Sequence, residues 1–342
     1  MQDGLTGFVA LAIVAAAAVL SALLIVALGP WLARYAMAKP NARSSHKVAT
    51  PQGGGIAVLG ATILVSAGAL LLSPTVIPSM SPLLIVLAAV ILIAGVGAMA
   101  DKHPIAAAPR LVLQGFAIIA VLMTLPTELR LLPILPWWSE RVLLLIAGLW
   151  FVNLVNFMDG LDWMTVVEVA PITAALGAIG LLGYLPWQAT AISLALCGAI
   201  IGFAFFNRPV AKLFLGDVGS LPIGLILGWQ LVTLAGSGAR LAAALLPLYY
   251  VADSTITLLR RTANCEVIWQ AHRSHFYQRA TDRGFRVIDV VGRVFAVNLT
   301  LAVLAIATIL LPFRLMEIAA LIIGAAVVTW LLVVFSRGPK GA

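Results

Sequence analysis

Long apolar segments recur along this chain, and they constrain its fold more than any other feature. A helix that spans a membrane needs about 20 mainly apolar residues, because the hydrocarbon interior offers no water to backbone N–H and C=O groups. About eleven such helices can be placed on the sequence, which therefore predicts an all-α, polytopic integral membrane protein. The predicted spans are 5–29, 55–73, 83–100, 111–127, 141–158, 165–183, 188–206, 221–236, 240–258, 292–311 and 316–335.

The composition agrees with this interpretation and excludes soluble enzymes and soluble DNA-binding modules. Of the 342 residues, 62% are hydrophobic and 10% are charged, and so few charged side chains cannot cover a soluble protein of this size. The first span is longer than the core of a signal peptide and lacks a preceding positive charge, so we expect it to be retained. Because no internal repeat or linker interrupts the pattern, we expect a single integral domain over residues 1–342.

The basic residues predict the orientation of the spans. Of the 21 Lys and Arg residues, all fall on one side of the predicted membrane except Arg130, Arg141, Arg240 and Arg314. Since Lys and Arg are enriched in cytoplasmic loops, the N-terminus is predicted outside and the C-terminus in the cytoplasm. The net charge of +8 then reports topology, and nucleic acid is not expected as a partner.

The residues that could carry chemistry lie on the same predicted cytoplasmic side. All four histidines are found there. The same side holds Asp101, Asp159, Asp162 and Asp217. We therefore take these loops as the candidate active-site segments, and they are 29–55, 101–110, 157–165, 206–220 and 259–292.

The first of these loops combines glycines with positive charge. Gly54 lies in a run of three glycines, and Arg43, His46 and Lys47 precede it. Backbone N–H groups of such a run can approach an anion closely, which suits a phosphate-bearing ligand. A plain loop whose basic residues only fix topology is the simpler alternative.

The next two loops bring acids to helix ends. Asp101 ends one predicted span and Arg110 begins the next. Two amides, Asn153 and Asn156, precede Asp159 and Asp162 at the inner end of an otherwise apolar helix, and the last three share a face if helical geometry continues. Polar groups at such a depth usually line a water-filled site, although simple helix capping is the alternative.

The last two loops favour a cation and a diphosphate. Asp217 stands between two glycines directly before a helix, where a carboxylate can approach Mg²⁺ and the helix N-terminus can receive phosphate oxygens; an ordinary turn is the alternative. His272, Arg273 and His275 form a patch of donors that suits a diphosphate. An amphipathic segment that lies on anionic lipid is the alternative for this loop.

Five strings carry a family resemblance, in order along the chain: RSSHKVATPQGGG, NLVNFMDGLD, FNRPVAKLFLGDVGS, DSTITLLRR and WQAHRSHFYQR. Through them the chain resembles the polyprenyl-phosphate N-acetylhexosamine-1-phosphate transferases, which form glycosyl transferase group 4. It is most similar to undecaprenyl-phosphate GlcNAc-1-phosphate transferases that start O-antigen or related surface polysaccharides in lipopolysaccharide biosynthesis.

The resemblance implies a reaction and a location. A polyprenyl phosphate in the membrane attacks a UDP-N-acetyl sugar with Mg²⁺, or Mn²⁺ in its place, and UMP is released. It implies a bacterial cytoplasmic membrane with the active site facing the cytoplasm. Asp217 and Asp159 would be metal ligands, Asp101 and Asp162 would complete the catalytic acids, and the other polar residues named above would bind substrate.

One position departs from the family pattern, and other functions stay open. The family normally has two adjacent aspartates where this chain has Ala100 and Asp101, which puts the role of a general base in question. A catalytically degenerate homologue is therefore one alternative, and a secondary transporter is another, with Glu168 as its candidate deep acid. The sequence leaves open the identity of the sugar and the oligomeric state, including a homodimer.

Overall fold

The computed structural model of the protein describes residues 2–38, 49–72, 80–103, 105–267 and 272–338. In these ranges the chain forms thirteen helices and one short antiparallel hairpin. The elements are α1 (Gln2–Tyr35), β1 (Met37–Ala38), β2 (Thr50–Pro51), α2 (Gly54–Leu71), α3 (Ser81–Lys102), α4 (Ala107–Met123), α5 (Trp137–Met158), α6 (Met164–Leu181), α7 (Trp187–Ala204), α8 (Asp217–Gly236), α9 (Arg240–Leu245), α10 (Leu248–Ala263), α11 (Phe276–Asp282), α12 (Val287–Leu310) and α13 (Arg314–Arg337).

The helices confirm an all-α, polytopic membrane protein. Among the described residues, 9 helices are long and apolar enough to cross a membrane, and α4 is a shorter apolar helix. Ten of the eleven predicted spans each correspond to one of these helices. Large apolar side chains such as Phe8, Leu315 and Ile322 remain exposed on the helix surfaces, as expected for surfaces that face lipid.

The ninth predicted span, 240–258, is not one continuous helix. It consists of α9 and α10, which are separated at Leu246 and Pro247. Proline has no N–H to donate and its ring crowds the preceding turn, so it ends a helix or begins a new one. α10 is amphipathic and buries polar side chains, among them Asp253 and Thr257, which the search for apolar segments did not predict.

A buried carboxylate joins α6 to α12. Glu168 of α6 is 1% exposed, and its Oε2 accepts a hydrogen bond from Nδ2 of Asn298 in α12. The same amide donates to the Val167 carbonyl oxygen at 3.0 Å. The deepest acid predicted from the sequence thus takes part in a contact between two helices.

The centre of the bundle is α7, which packs against α1, α2 and α6. A Cβ atom added at Gly198 would lie 2.1 Å from the Val14 carbonyl oxygen, and one at Gly202 would lie 2.3 Å from that of Ala18. Small residues four apart allow two membrane helices to approach this closely. The pair therefore fixes α1 against the core.

The C-terminal ends of α3 and α5 meet the N-terminus of α8 at one end of the bundle. The last residues of α3 and α5 lie there beside the first residues of α8, and the β1–β2 hairpin is joined to the same region through a bridge between Gln52 and Phe214. We call this end, which contains Asp101, Asp159 and Asp217, the carboxylate face. The packing of α3 and α5 on α8 places these acids together.

Candidate active site

Asp217 is the centre of a hydrogen-bond network at the first residue of α8. Its Oδ1 accepts a hydrogen bond of 2.7 Å from Nδ2 of Asn156, and its Oδ2 lies 3.4 Å from Nη1 of Arg110. Asn156 also donates to Ser220 Oγ, one turn further along α8, at 2.9 Å. The Asp217 side chain is 29% exposed, so these contacts orient the carboxylate and leave it accessible.

Asp101 joins α3 to the beginning of α8. Its Oδ1 accepts the backbone N–H of Asp217 at 2.9 Å and its Oδ2 accepts that of Val218 at 3.1 Å. These N–H groups have no partner within the helix, and a carboxylate at a helix N-terminus also stabilises the helix dipole. Asp101 therefore acts as the cap of α8 and holds Asp217 in place.

Gly216 allows this capping contact to form. Its φ of 79° lies in the left-handed region, which glycine adopts without the steric cost of a side chain. A Cβ atom at this position would lie 2.6 Å from Oδ2 of Asp101. The glycine before Asp217, noted from the sequence as freedom to reach a cation, is thus needed for contact with a second carboxylate.

Asp159 ends α5, and Thr165 Oγ1 donates a hydrogen bond to its Oδ1. Burial raises the pKa of Asp159 to about 7, and the charges of Asp217, Asp101 and Asp162 act in the same direction, while the bond from Thr165 opposes them. Carboxylates that raise one another's pKa lie close together without enough positive charge between them. The carboxylate face therefore favours a bound cation.

Asp162 connects the loop after α5 to the loop before α8. Its Oδ2 accepts the backbone N–H of Ala211 at 2.9 Å. Both residues line a cavity of about 980 Å³. The same cavity is lined by three basic residues, Arg208, Lys212 and Arg286, so its mouth is suited to an anionic ligand.

Asn153 lies one turn deeper in α5 than Asn156. It is buried, and its Nδ2 donates to Oε1 of Gln114 at 2.7 Å and to the Leu149 carbonyl oxygen at 2.8 Å. The structure therefore places Asn153 in a contact between α4 and α5, away from the Asp217 network. Its predicted role in substrate binding stays a prediction.

The backbone N–H groups of the glycine run, which the sequence suggested for phosphate, donate to backbone carbonyl oxygens within the protein. The N–H groups of Gly53 and Gly54 donate to the Phe214 carbonyl oxygen at 3.1 and 2.9 Å, and that of Gly55 donates to Leu215 at 2.9 Å. A Cβ atom at Gly54 would lie 2.5 Å from the Phe203 ring. The amides are committed to holding α2 against the loop before α8. Arg43, His46 and Lys47 lie outside the described residues.

The histidine segment (residues 272–282) lies beside the end of α5. The rings of His272 and His275 are stacked with centroids 4.9 Å apart, and the His275 ring lies 6.5 Å from that of Phe157. Nη2 of Arg273 donates to Asp282 Oδ1 at 3.1 Å. The two histidines predicted together are therefore in contact, and the segment adjoins the carboxylate face.

Several residues of this region were not predicted from the sequence. Thr165, Ser220 and Gln52, whose Nε2 donates to the Asp101 carbonyl oxygen at 2.8 Å, are common polar residues with no distinctive spacing. Asp253 had a usable signal, because it is a carboxylate near the inner end of the predicted span 240–258 and the first residue of the string DSTITLLRR.

Known proteins resemble this chain over most of its length. Residues 83–235 match the family described as Glycosyl transferase family 4. A protein of Mycobacterium tuberculosis named decaprenyl-phosphate N-acetylglucosaminephosphotransferase is 28% identical over 73% of this chain and 70% of its own length. A protein of the same name from Mycolicibacterium smegmatis is 27% identical over 90% of this chain and 84% of its own length.

A third relative comes from Bacillus subtilis and is named "Probable undecaprenyl-phosphate N-acetylglucosaminyl 1-phosphate transferase". It is 26% identical over 77% of this chain and 76% of its own length. The fold is that of a polytopic membrane protein, and its relatives are named as sugar-phosphate transferases. Residues 83–235, which include the whole Asp217 network, match glycosyl transferase family 4, and the resemblance stated from the inner loops is confirmed.

Proposed function

We propose that this protein transfers an N-acetylhexosamine-1-phosphate from a UDP-sugar to polyprenyl phosphate in the membrane and releases UMP. The observation that carries the proposal is the accessible carboxylate of Asp217, held by Asn156 and Arg110 at the end of the helix bundle. The names of the relatives supply the acceptor class, a polyprenyl phosphate, and N-acetylglucosamine as a donor group.

The position of the site suits one substrate from the bilayer and one from water. Asp101, Asn156 and Asp217 lie at helix ends, where a lipid phosphate can enter sideways while its hydrocarbon tail stays between lipids. The cavity lined by Arg208, Lys212 and Arg286 also contains Asp162, and its positive charge suits the phosphates of a nucleotide. The proposal therefore has the lipid enter from the bilayer and the nucleotide from this cavity.

The donor set fits Mg²⁺. Mg²⁺ usually takes one or two carboxylates and completes its shell with substrate phosphates and water. Asp217 and Asp159 would hold it. Burial is the main cause of the raised pKa of Asp159, and the charges of Asp217, Asp101 and Asp162 add to it, so a cation among these acids would be favourable. Among the described residues no group of three or more His, Cys, Asp or Glu side chains is arranged to hold a metal, and Mg²⁺ with phosphate ligands does not need one. When bound, the ion neutralises phosphate charge.

The reaction forms one bond and breaks one. An oxygen of the polyprenyl phosphate binds the β-phosphorus of the UDP-sugar, the bond to the bridging oxygen breaks, and UMP leaves with the electron pair. A phosphate monoester is mostly dianionic near neutral pH, so it needs no protein base to become nucleophilic. Positioning and charge neutralisation then provide most of the catalysis, which is compatible with Ala100 in place of an aspartate.

The protein's own residues bring two polyanions together. Arg110 lies 3.4 Å from Asp217, and it is proposed to bind phosphate oxygens together with His272, Arg273 and His275. Arg43, His46 and Lys47 are proposed to do so from the first inner loop. Asp101 holds the start of α8, so that Asp217 keeps its direction. We further propose a single integral domain in a bacterial cytoplasmic membrane, with the carboxylate face towards the cytoplasm and O-antigen or another surface polysaccharide as the product pathway.

Two other functions are compared with this proposal. A transporter would place binding groups near the middle of the membrane, but Glu168, its candidate acid, lies about one turn from the start of α6 and accepts a hydrogen bond from Asn298. A degenerate homologue would keep the fold without turnover. The proposed enzyme differs from both because it releases UMP.

The test uses membranes that contain the full-length protein, with polyprenyl phosphate, Mg²⁺ and labelled UDP-GlcNAc or a related UDP-N-acetyl sugar. We expect UMP release and a labelled lipid. Asp217→Asn should lower turnover by about 10²- to 10³-fold, because a neutral amide cannot replace a metal-binding carboxylate.

The matched control is Glu128→Gln, which removes an exposed carboxylate that accepts a hydrogen bond from the neighbouring Thr127. It should leave turnover unchanged. Absence of UMP with every sugar tried would contradict the proposed function, and full activity of the Asp217 variant would contradict the metal-ligand assignment.

A further inference from the structure

Asp253 of α10 is a fully buried carboxylate on which donors from two segments converge. Its side chain is 0% exposed. Two donors come from its own helix, Tyr249 through its hydroxyl and Thr257 through Oγ1, at 3.2 and 3.3 Å. Two more are the backbone N–H groups of Phe276 and Tyr277, at 3.0 and 3.2 Å. Asp253 therefore binds α11 to α10.

The fifth partner of Asp253 is a histidine. Nδ1 of His275 lies 3.2 Å from Oδ1 of Asp253. An ionised carboxylate only accepts hydrogen bonds, so Nδ1 must carry the proton in this contact. The carboxylate thereby fixes both the tautomer and the direction of the ring.

The other ring nitrogen of His275 has no hydrogen-bond partner among the residues that the structure describes. The His275 side chain is 2% exposed, and its Nε2 is buried. A buried polar atom without a partner is uncommon in native structures because its desolvation is not repaid. The atom is therefore in place for a ligand that brings its own hydrogen-bonding group.

The surroundings of His275 indicate where such a ligand would lie. The Tyr277 hydroxyl donates to the Phe157 carbonyl oxygen at 3.0 Å, and a Cβ atom at Gly160 would lie 2.1 Å from that hydroxyl. Burial and the charges of Asp253 and Asp159 raise the pKa of Tyr277 well above its ordinary value. The segment that carries His275 thus packs directly on the residues that precede and follow Asp159.

We propose that Asp253 is a positioning residue of the transferase: it holds His275 so that Nε2 faces the substrate beside the carboxylate face. This inference rests on the proposed function. Asp253 itself touches no substrate, because all five donors around it belong to the protein. Its contribution to turnover passes through the orientation and tautomer of His275.

A positioning role and a purely structural role of Asp253 predict different effects of the same variants on kcat. Asp253→Asn places an amide NH₂ group against the backbone N–H of Phe276 or Tyr277. It therefore weakens the hold on the orientation and tautomer of the His275 ring. We expect the kcat of the folded enzyme to fall by about 10²-fold, the size of a typical loss of one acid–base or orienting group, with KM for the UDP-sugar within about threefold of its original value. Tyr249→Phe and Thr257→Val each remove another donor to Asp253, and they should change kcat by less than about threefold.

A double-mutant cycle with His275→Asn provides the decisive measurement. Asparagine places its amide near the position of Nδ1, so it can still donate to Asp253 while it lacks an equivalent of Nε2. We expect His275→Asn to fold, as judged by its thermal midpoint in detergent, and to lose about 10²-fold in kcat. Adding Asp253→Asn to this variant should lower kcat by less than about a further threefold.

Other outcomes overturn the inference. If the two losses in kcat multiply in the double variant, Asp253 acts independently of His275. If the His275→Asn enzyme is fully active, Nε2 has no role. If Asp253→Asn does not fold, Asp253→Glu takes its place in the cycle, since it keeps the charge and shifts the ring. A wild-type enzyme that releases no UMP refutes the proposed function and this inference together, whereas an active wild type with a normal Asp253 variant refutes this inference alone.

Discussion

The carboxylate face and the histidine segment contribute to one site, but they are built in different ways. Asp101 and Asp217 belong to long helices of the bundle, and their partners come from residues 61 to 117 positions away in sequence. The histidine segment is short, and it is held mainly by hydrogen bonds to the single carboxylate of Asp253. Damage to the first region should therefore disturb both stability and turnover, whereas damage to the second should disturb mainly the geometry of the site.

Among variants that compare the two regions, Asp101→Ala is expected to have the largest combined effect on stability and turnover. It removes both acceptors from the N-terminus of α8, which should cost about 1–2 kcal/mol of stability, as for the loss of other helix caps. Turnover should fall at least tenfold, since Asp217 is the first residue of that helix. Thermal unfolding in detergent and UMP release measure the two effects.

Asp101→Asn serves as the graded control, because it retains one acceptor and should lie between the wild type and the alanine variant. An alanine variant with an unchanged thermal midpoint would show that the carboxylate face does not depend on this cap.

A smaller effect is expected from Tyr277→Phe in the histidine segment. The change removes the hydrogen bond to the Phe157 carbonyl oxygen, worth about 1 kcal/mol locally. We expect a loss of turnover of a fewfold, with the thermal midpoint of the bundle little changed. The same change at Tyr184, far from the carboxylate face, is the control. A drop in the midpoint as large as that of Asp101→Ala would remove the distinction between the two regions.

The smallest effect is expected from Ala100→Asp, which restores the aspartate pair typical of the family. Asp101 already caps α8, and the lipid phosphate is its own nucleophile, so a second carboxylate has little left to supply. Initial rates of UMP release should change by less than about threefold. A gain of tenfold or more would mean that the natural enzyme lacks a base that it needs.

Much of the architecture could be predicted from the sequence, because membrane spans are recognised by local composition alone. The grouping of Arg110, Asn156 and Asp217 was also anticipated, since all three stand at helix ends on one predicted side. The specific partners could not be predicted. That Asp101 binds the N–H of Asp217, and that Gly54 binds Phe214, depends on how distant helices pack. Spacing along the chain contains no information on that packing.

Side chains buried between helices explain the remaining differences. Asn153 has the same chemistry as Asn156 and lies three residues before it, yet it pairs with Gln114 inside the bundle. A sequence shows that both are polar and which way each faces on the helix, but not how deep the opening between helices reaches. Pro247 was a local signal for the break in the ninth span. The many apolar residues around it nevertheless favoured one continuous helix.

The divided ninth span has a consequence for how the protein is assembled in the membrane. α10 buries Asp253 and several other polar side chains, and such a segment enters the hydrocarbon layer poorly by itself. In its first turn the Tyr250 hydroxyl donates to the Met164 carbonyl oxygen of α6, a helix that is synthesised earlier. We therefore expect 240–263 to be inserted only as it docks onto helices made before it, so that biogenesis and catalysis depend on the same buried polar contacts.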